Sequence, residues 1–266
     1  MRWNPLRTLF ATTHESAASK RSRRHLSVET LEGKALMAYS AFAGVRAAAI
    51  VAKAAPTVEA ADAYVTGVFN TVLYRDPTEA ELSKLATPLS AGKTTYAKVA
   101  AVVLNSRENL GNIVTNSYYS ILNRAPGTAE LNNGISLLSK KTGTESQLQA
   151  RLFSSKEYLT LYSVKNPTQF VSSVAATYGV TYSDSALAAN SPNVVKKGLY
   201  QGALTVLSSA QVMHSRLAFT YYSILGEEPT PSALASLAHA SSTRFGGQIS
   251  LLSSQAFIQS TQIVVE

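Results

Sequence analysis

From about residue 62 onward, apolar side chains recur at helical spacing and polar ones fill the intervals. Val65, Val68, Phe69, Val72 and Leu73 fall at i, i+3, i+4, i+7 and i+8. Val114, Tyr118, Ile121 and Leu122 mark one face in the same way, as do Leu217, Tyr221, Ile224 and Leu225. Pro77, Pro126 and Pro229 follow these runs and are expected to stop the helices, because proline has no amide to continue the ladder. A second helix carries Leu82, Leu85 and Leu89 in one place and Leu131, Ile135 and Leu138 in another. Gly92 and Gly143 stand where a helix end needs a left-handed residue. A third helix runs through Val99, Val102 and Val103 into Leu104, and through Leu148 and Leu152 into Phe153. No segment alternates at period two for long enough to predict a strand. The expected fold class is all-α.

These helices come in a repeat. Four fourteen-residue windows align, Phe69–Leu82, Tyr118–Leu131, Val174–Leu187 and Tyr221–Leu234, the third having lost its proline. A second signature follows each: Leu104-Asn-Ser-Arg-Glu108, Phe153-Ser-Ser-Lys-Glu157, Leu207-Ser-Ser-Ala-Gln211 and Leu252-Ser-Ser-Gln-Ala256. The window leucine lies 22, 22, 20 and 18 residues before it. From signature to next window is 14, 21 and 14 residues, so copies one and two should share a helix near 106–123, and copies three and four one near 209–225. The longer middle connection carries Asn166-Pro167-Thr168. The chain thus divides into 1–61, an N-terminal targeting-like segment expected to be largely disordered; 62–165, repeats one and two; and 166–266, a degenerate repeat three with repeat four. Four degenerate repeats of about three helices each, arranged as two paired units, are expected.

The signatures also fit capping boxes, Asn105 with Glu108, Ser154 with Glu157 and Ser208 with Gln211. Arg75 and Arg124 share one window position, and their copies hold Glu108 and Glu157. Where the arginine becomes Val180 or Glu227, the glutamate becomes Gln211 or Ala256. Two readings account for the joint loss. Arg and Glu pair within a copy, or each acts alone, Arg on helix-end carbonyls and Glu in its box. All four residues are structural in either case.

Charge changes the picture less than its total suggests. The net charge is +8. Residues 1–61 hold nine Lys/Arg against four Asp/Glu, the remainder fifteen against twelve. The excess belongs to the N-terminal segment, and the scattered cations of the body argue against nucleic acid as a partner. Cysteine is absent, which excludes disulfides, thiolate chemistry and iron–sulfur centres. With 45% apolar and 15% charged residues the chain can bury a core, yet no apolar run is long enough for a transmembrane helix.

The N-terminal stretch Arg23-Arg24-His25-Leu26-Ser27-Val28-Glu29-Thr30-Leu31-Glu32, ending in Leu36-Met37-Ala38, resembles the opening of many secreted proteins of planctomycete bacteria. That resemblance implies an exported protein of the envelope or exterior. The windows Leu73-Tyr-Arg-Asp-Pro-Thr-Glu-Ala-Glu-Leu82 and Leu122-Asn-Arg-Ala-Pro-Gly-Thr-Ala-Glu-Leu131 are similar to the bacterial family catalogued as domain of unknown function 4214, as is Phe153-Ser-Ser-Lys-Glu-Tyr158. Glu81 and Glu130 depart from it, standing where that family has glycine. The resemblance implies a helical repeat of secreted or surface proteins, distantly like phycobilisome linker domains, with no assigned chemistry.

Candidate chemistry is sparse. The histidines are His14, His25, His214 and His239, with no helical i, i+4 pair, and no phosphate loop, nucleophile elbow or calcium loop is present. No cofactor, metal or catalytic residue is expected. Tyr118-Tyr119 and Tyr221-Tyr222 occupy one window position in two copies. One ring of each pair should face the core, leaving Tyr119 and Tyr222 half exposed as candidate partner-binding residues. The expected function is therefore non-catalytic binding or scaffolding of a protein or cell-surface polymer at the bacterial envelope or exterior. Two alternatives stand beside it: a hydrolase whose scattered site lies between the paired units, and a cytoplasmic protein whose basic N-terminal arm binds an anionic partner.

Overall fold

The computed structural model describes residues 55–140 and 142–262, so the N-terminal targeting-like stretch, with its expected disorder, lies outside the described residues up to Ala54. Among the described residues there are thirteen helices and no strand. In chain order they are α1 Val58–Leu73, α2 Glu79–Ser90, α3 Tyr96–Leu104, α4 Arg107–Leu122, α5 Thr128–Ser139, α6 Glu145–Phe153 and α7 Lys156–Leu161. Then follow α8 Pro167–Ala176, α9 Asp184–Leu207, α10 Ala210–Leu225, α11 Pro231–Ala240, α12 Gly246–Leu252 and α13 Gln255–Gln262. The protein is all-α. The shared helices expected near 106–123 and 209–225 are α4 and α10.

Short polar side chains set where these helices start. Thr57, Thr78, Thr95, Ser106, Thr144, Ser155, Asn166, Ser183, Ser209 and Thr230 each accept a hydrogen bond from the third helical amide. The Thr57 cap starts α1 four residues ahead of the expected Asp62 and takes Ala61 into the core, fully buried. The expected capping boxes at Asn105, Ser154 and Ser208 do not form. These residues close the preceding helices, and the next residue caps instead: Ser106, Ser155 and Ser209 accept from Asn109, Tyr158 and Val212. Glu108 and Glu157 consequently stand one position too early to reach back to the cap.

Helix ends also differ from expectation. Leu73, Leu122 and Leu225 end their helices four residues before the prolines, at left-handed C-caps Tyr74, Asn123 and Gly226 with φ of 58°, 56° and 73°. The prolines therefore lie in the extended connections and do not terminate the ladders. Gly92 is left-handed as expected (φ 67°), whereas Gly143 is needed for space: a Cβ there would lie 1.8 Å from the Leu137 carbonyl oxygen. In copy three the second and third helices are continuous as α9 except at Gly198, whose φ of 81° breaks the run.

Two apolar cores hold the helices. One gathers Leu110, Val114, Ile121, Leu148, Phe153, Tyr158, Phe170, Val174, Val206 and Val212, from α4 to the start of α10. It runs through the Asn166-Pro167 connection, where Asn166 caps α8 and Pro167 takes its first position. The other joins Ala61, Tyr64, Val68, Leu89, Val99 and Val103 to Leu252, Phe257 and Ile258, so α13 packs on α1 and α12 on α3. The first and last parts of the described chain thus share a core, and the described residues from Pro56 on form one compact unit. The expected boundary at 165/166 separates no cores. The α10 face is the outlier among the periodic runs: Tyr221, Leu217, Ile224 and Leu225 are only half buried, and Val212 alone on that helix is fully inside.

Candidate functional site

Two arrangements repeat on this scaffold, a clasp around an arginine and an outward-facing tyrosine. The clasp starts from the left-handed turn. With Tyr74 in that conformation the chain reverses at the end of α1, and the Arg75 guanidinium comes to lie 5.3 Å from the centre of the Phe69 ring. Its Nε donates to Glu108 Oε1 and one Nη2 bond goes to Glu108 Oε2, both at 2.7 Å. Nη1 and Nη2 also donate to the two oxygens of Glu81 at 2.9 Å, and Nη1 donates to the Asp76 carbonyl at 2.9 Å. All five guanidinium N–H groups are thereby used.

Arg124 repeats this set in copy two. It lies 5.2 Å from the Tyr118 ring, donates Nε and Nη2 to Glu157 at 2.5 and 2.7 Å, donates Nη1 and Nη2 to Glu130 at 2.7 and 2.8 Å, and Nη1 to the Ala125 carbonyl at 3.0 Å. Of the two sequence readings, the pairing of Arg with Glu within a copy is the one seen. Each clasp ties a helix end to the starts of two others, α1 to α2 and α4, and α4 to α5 and α7.

The third member was missed from sequence. Glu81 and Glu130 stand out in the sequence only as acids where the similar family has glycine, but each accepts from arginine and also from a cap amide, Thr78 N at 2.8 Å and Gly127 N at 2.7 Å. The signal was present: copies three and four hold Ala186 and Ala233 at this window position, so all three members are lost together. Where the clasp is missing, Val180 packs on the central core and Glu227 accepts from the Tyr221 hydroxyl at 3.2 Å.

Electrostatically the clasps are tight but half open to water. The guanidinium and the neighbouring cap amide hold Glu81 and Glu130 down to about 2, and Arg75 and Arg124 lower Glu108 and Glu157 as well. An arginine with every donor engaged has none to offer a substrate, so the clasp is a fastening.

Tyr118 is buried at 8% exposure while its neighbour Tyr119 stands 55% exposed. Tyr222 is 39% exposed, with Tyr221 half buried beside it. Both candidate tyrosines face solvent, one on α4 and the other on α10. His214 and His239 are exposed on α10 and α11, His14 and His25 lie outside the described residues, and no group of three His, Asp or Glu able to hold a metal occurs among the described residues. No described helix is long and apolar enough to cross a membrane. No family model matches the chain, and comparison with curated proteins and with solved structures finds no match.

Proposed function

We propose that this chain is a non-catalytic binding or scaffolding protein of the bacterial envelope or exterior, related to the domain of unknown function 4214 family. The observation that carries the reading is the solvent-facing ring of Tyr119 and Tyr222 at one repeat position of two shared helices. A tyrosine held out on a helix offers apolar area and a hydroxyl at low entropic cost, which suits a protein surface or a sugar face. The committed donors of Arg75 and Arg124 support a structural use for the repeat's most conspicuous charges. Export rests on the likeness of residues 23–38 to a planctomycete secretion segment.

Cosedimentation of the full chain with isolated envelope material tests binding. Tyr119→Ser and Tyr222→Ser together should reduce the bound fraction severalfold while leaving helix content unchanged. Equal cosedimentation of both proteins would reject the tyrosine surface. Mass spectrometry of the N-terminus in cell fractions tests the address: a chain shortened within residues 35–61 and found outside the cytoplasm is expected.

A further inference from the structure

A cleft of about 280 Å³ opens where α5, α6, α10 and the α11–α12 loop converge. Ile113, Leu138, Leu217 and Phe245 line it, together with two arginines, Arg216 from α10 and Arg244 from the loop. They are differently placed. Arg216 is engaged: Nη1 donates to Ser146 Oγ at 3.0 Å, Nη2 lies 3.8 Å from Glu145, and the guanidinium sits 5.6 Å from the centre of the Tyr178 ring. Glu145 in turn accepts from Gln149 at 2.6 Å.

Arg244 is not so provided for. Its Nη2 is buried with no hydrogen-bond partner among the described residues, and Nη1 reaches only the Lys140 carbonyl at 3.5 Å. The guanidinium rests 4.8 Å from the Phe245 ring centre, and burial lowers its pKa. Closing one guanidinium N–H off from water without a partner is unfavourable, and a nearby anion offsets part of that cost. The loop that holds it is built tightly. Phe245 is left-handed at φ 57°, a strained conformation for an aromatic residue, and a Cβ on Gly246 would lie 2.1 Å from the Ala240 carbonyl oxygen. Phe245 also packs against both cores, so the cleft lies at their junction.

We propose that this cleft binds a small carboxylate with an apolar tail, the carboxylate on Arg244 and the tail among Leu138, Leu217 and Phe245. Nη2 is closed off from water, so the carboxylate meets Arg244 at its exposed Nη1 edge, which is held only by the 3.5 Å contact to the Lys140 carbonyl. Glu145 is already paired, leaving one positive charge in the cleft uncompensated. The volume suits a small molecule. The site stands independently of the proposed envelope function.

Calorimetric titration of the full chain with hexanoate and benzoate, against hexanamide and inorganic phosphate, tests the assignment. Saturable one-to-one binding of both carboxylates is expected, with hexanamide and phosphate each about tenfold weaker. Arg244→Gln should weaken hexanoate about tenfold and leave hexanamide unchanged. No saturable carboxylate binding, or equal binding by Arg244→Gln, would overturn the site, and phosphate binding as tightly as hexanoate would overturn the apolar half. Hydrogen exchange on the unaltered protein needs no variant: saturating benzoate should slow exchange at residues 241–248 and 144–147, and unchanged exchange there would also overturn it.

Discussion

Arg75 lies just beyond the C-terminus of α1 and Glu108 in the first turn of α4, and the two meet through a pair of hydrogen bonds of 2.7 Å. The same fork joins Arg124 to Glu157. A two-bonded pair with a second acid behind it is the surface arrangement in which ion pairs contribute measurably, because the side chains are already ordered. Arg75→Ala should lower unfolding free energy by about 1–2 kcal/mol, and Arg75→Lys by nearly as much, since an ammonium cannot reproduce the fork. Urea unfolding midpoints measure this, and a Lys variant as stable as the parent would show that charge alone matters.

The pH dependence of stability follows from the acids of the clasps. Glu81 and Glu130 titrate at about 2 in the folded protein against an ordinary 4.5, and Glu108 and Glu157 are also lowered. A lowered folded-state pKa favours folding when the group is ionised, so this stabilisation is complete above 4.5 and is lost as pH falls from there toward 2. Melting temperature should be insensitive to the clasps' titration between pH 7 and 5 and decline below 4.5, within the window set by these four acids. In Arg75→Ala/Arg124→Ala the decline over that interval should be shallower, and an unchanged profile would remove the clasps from the account.

The left-handed C-caps give opposite effects at two sites. Tyr74 adopts φ 58° with 76% of its surface exposed, so Tyr74→Gly relieves strain and loses little packing. It should stabilise by about 0.5–1 kcal/mol. At Gly226 (φ 73°) a Cβ would touch nothing within 4 Å, so the cost of Gly226→Ala is of backbone origin, about 1 kcal/mol of destabilisation. Thermal unfolding of both variants checks the signs.

Phe257 of α13 lies against Tyr64 of α1, ring centres 6.1 Å apart and nearly perpendicular, and is 3% exposed. Phe257→Ala should cost about 3–4 kcal/mol and speed amide exchange in α1 as well as in α13. Loosening confined to α13 would mean that the two ends of the described chain do not stabilise one another.

The helices were legible in the sequence, and the pairing of Arg with Glu was one of the two readings that it left open. Local rules lie behind both, through 3.6-residue periodicity in Val65, Val68 and Phe69, a Ser or Thr at most helix starts, and joint loss of Arg and Glu in two copies. Glu81 and Glu130 were legible by the same comparison, yet a carboxylate in a first helical turn also has a local explanation in the dipole and gives no sign of a distant partner. Capping shows the limit of such reading. The pairs Asn105-Ser106 and Ser154-Ser155 each offer two candidate caps, and where the preceding helix ends decides which of the two caps the next. Only the tertiary structure decided that the last helices close onto the first, that Asn166 interrupts no core, and that Arg216 and Arg244 share a cleft. Those outcomes depend on contacts between residues far apart in the chain, such as Tyr64 with Phe257, and the helical period of one segment says which face is apolar but not which other face will cover it.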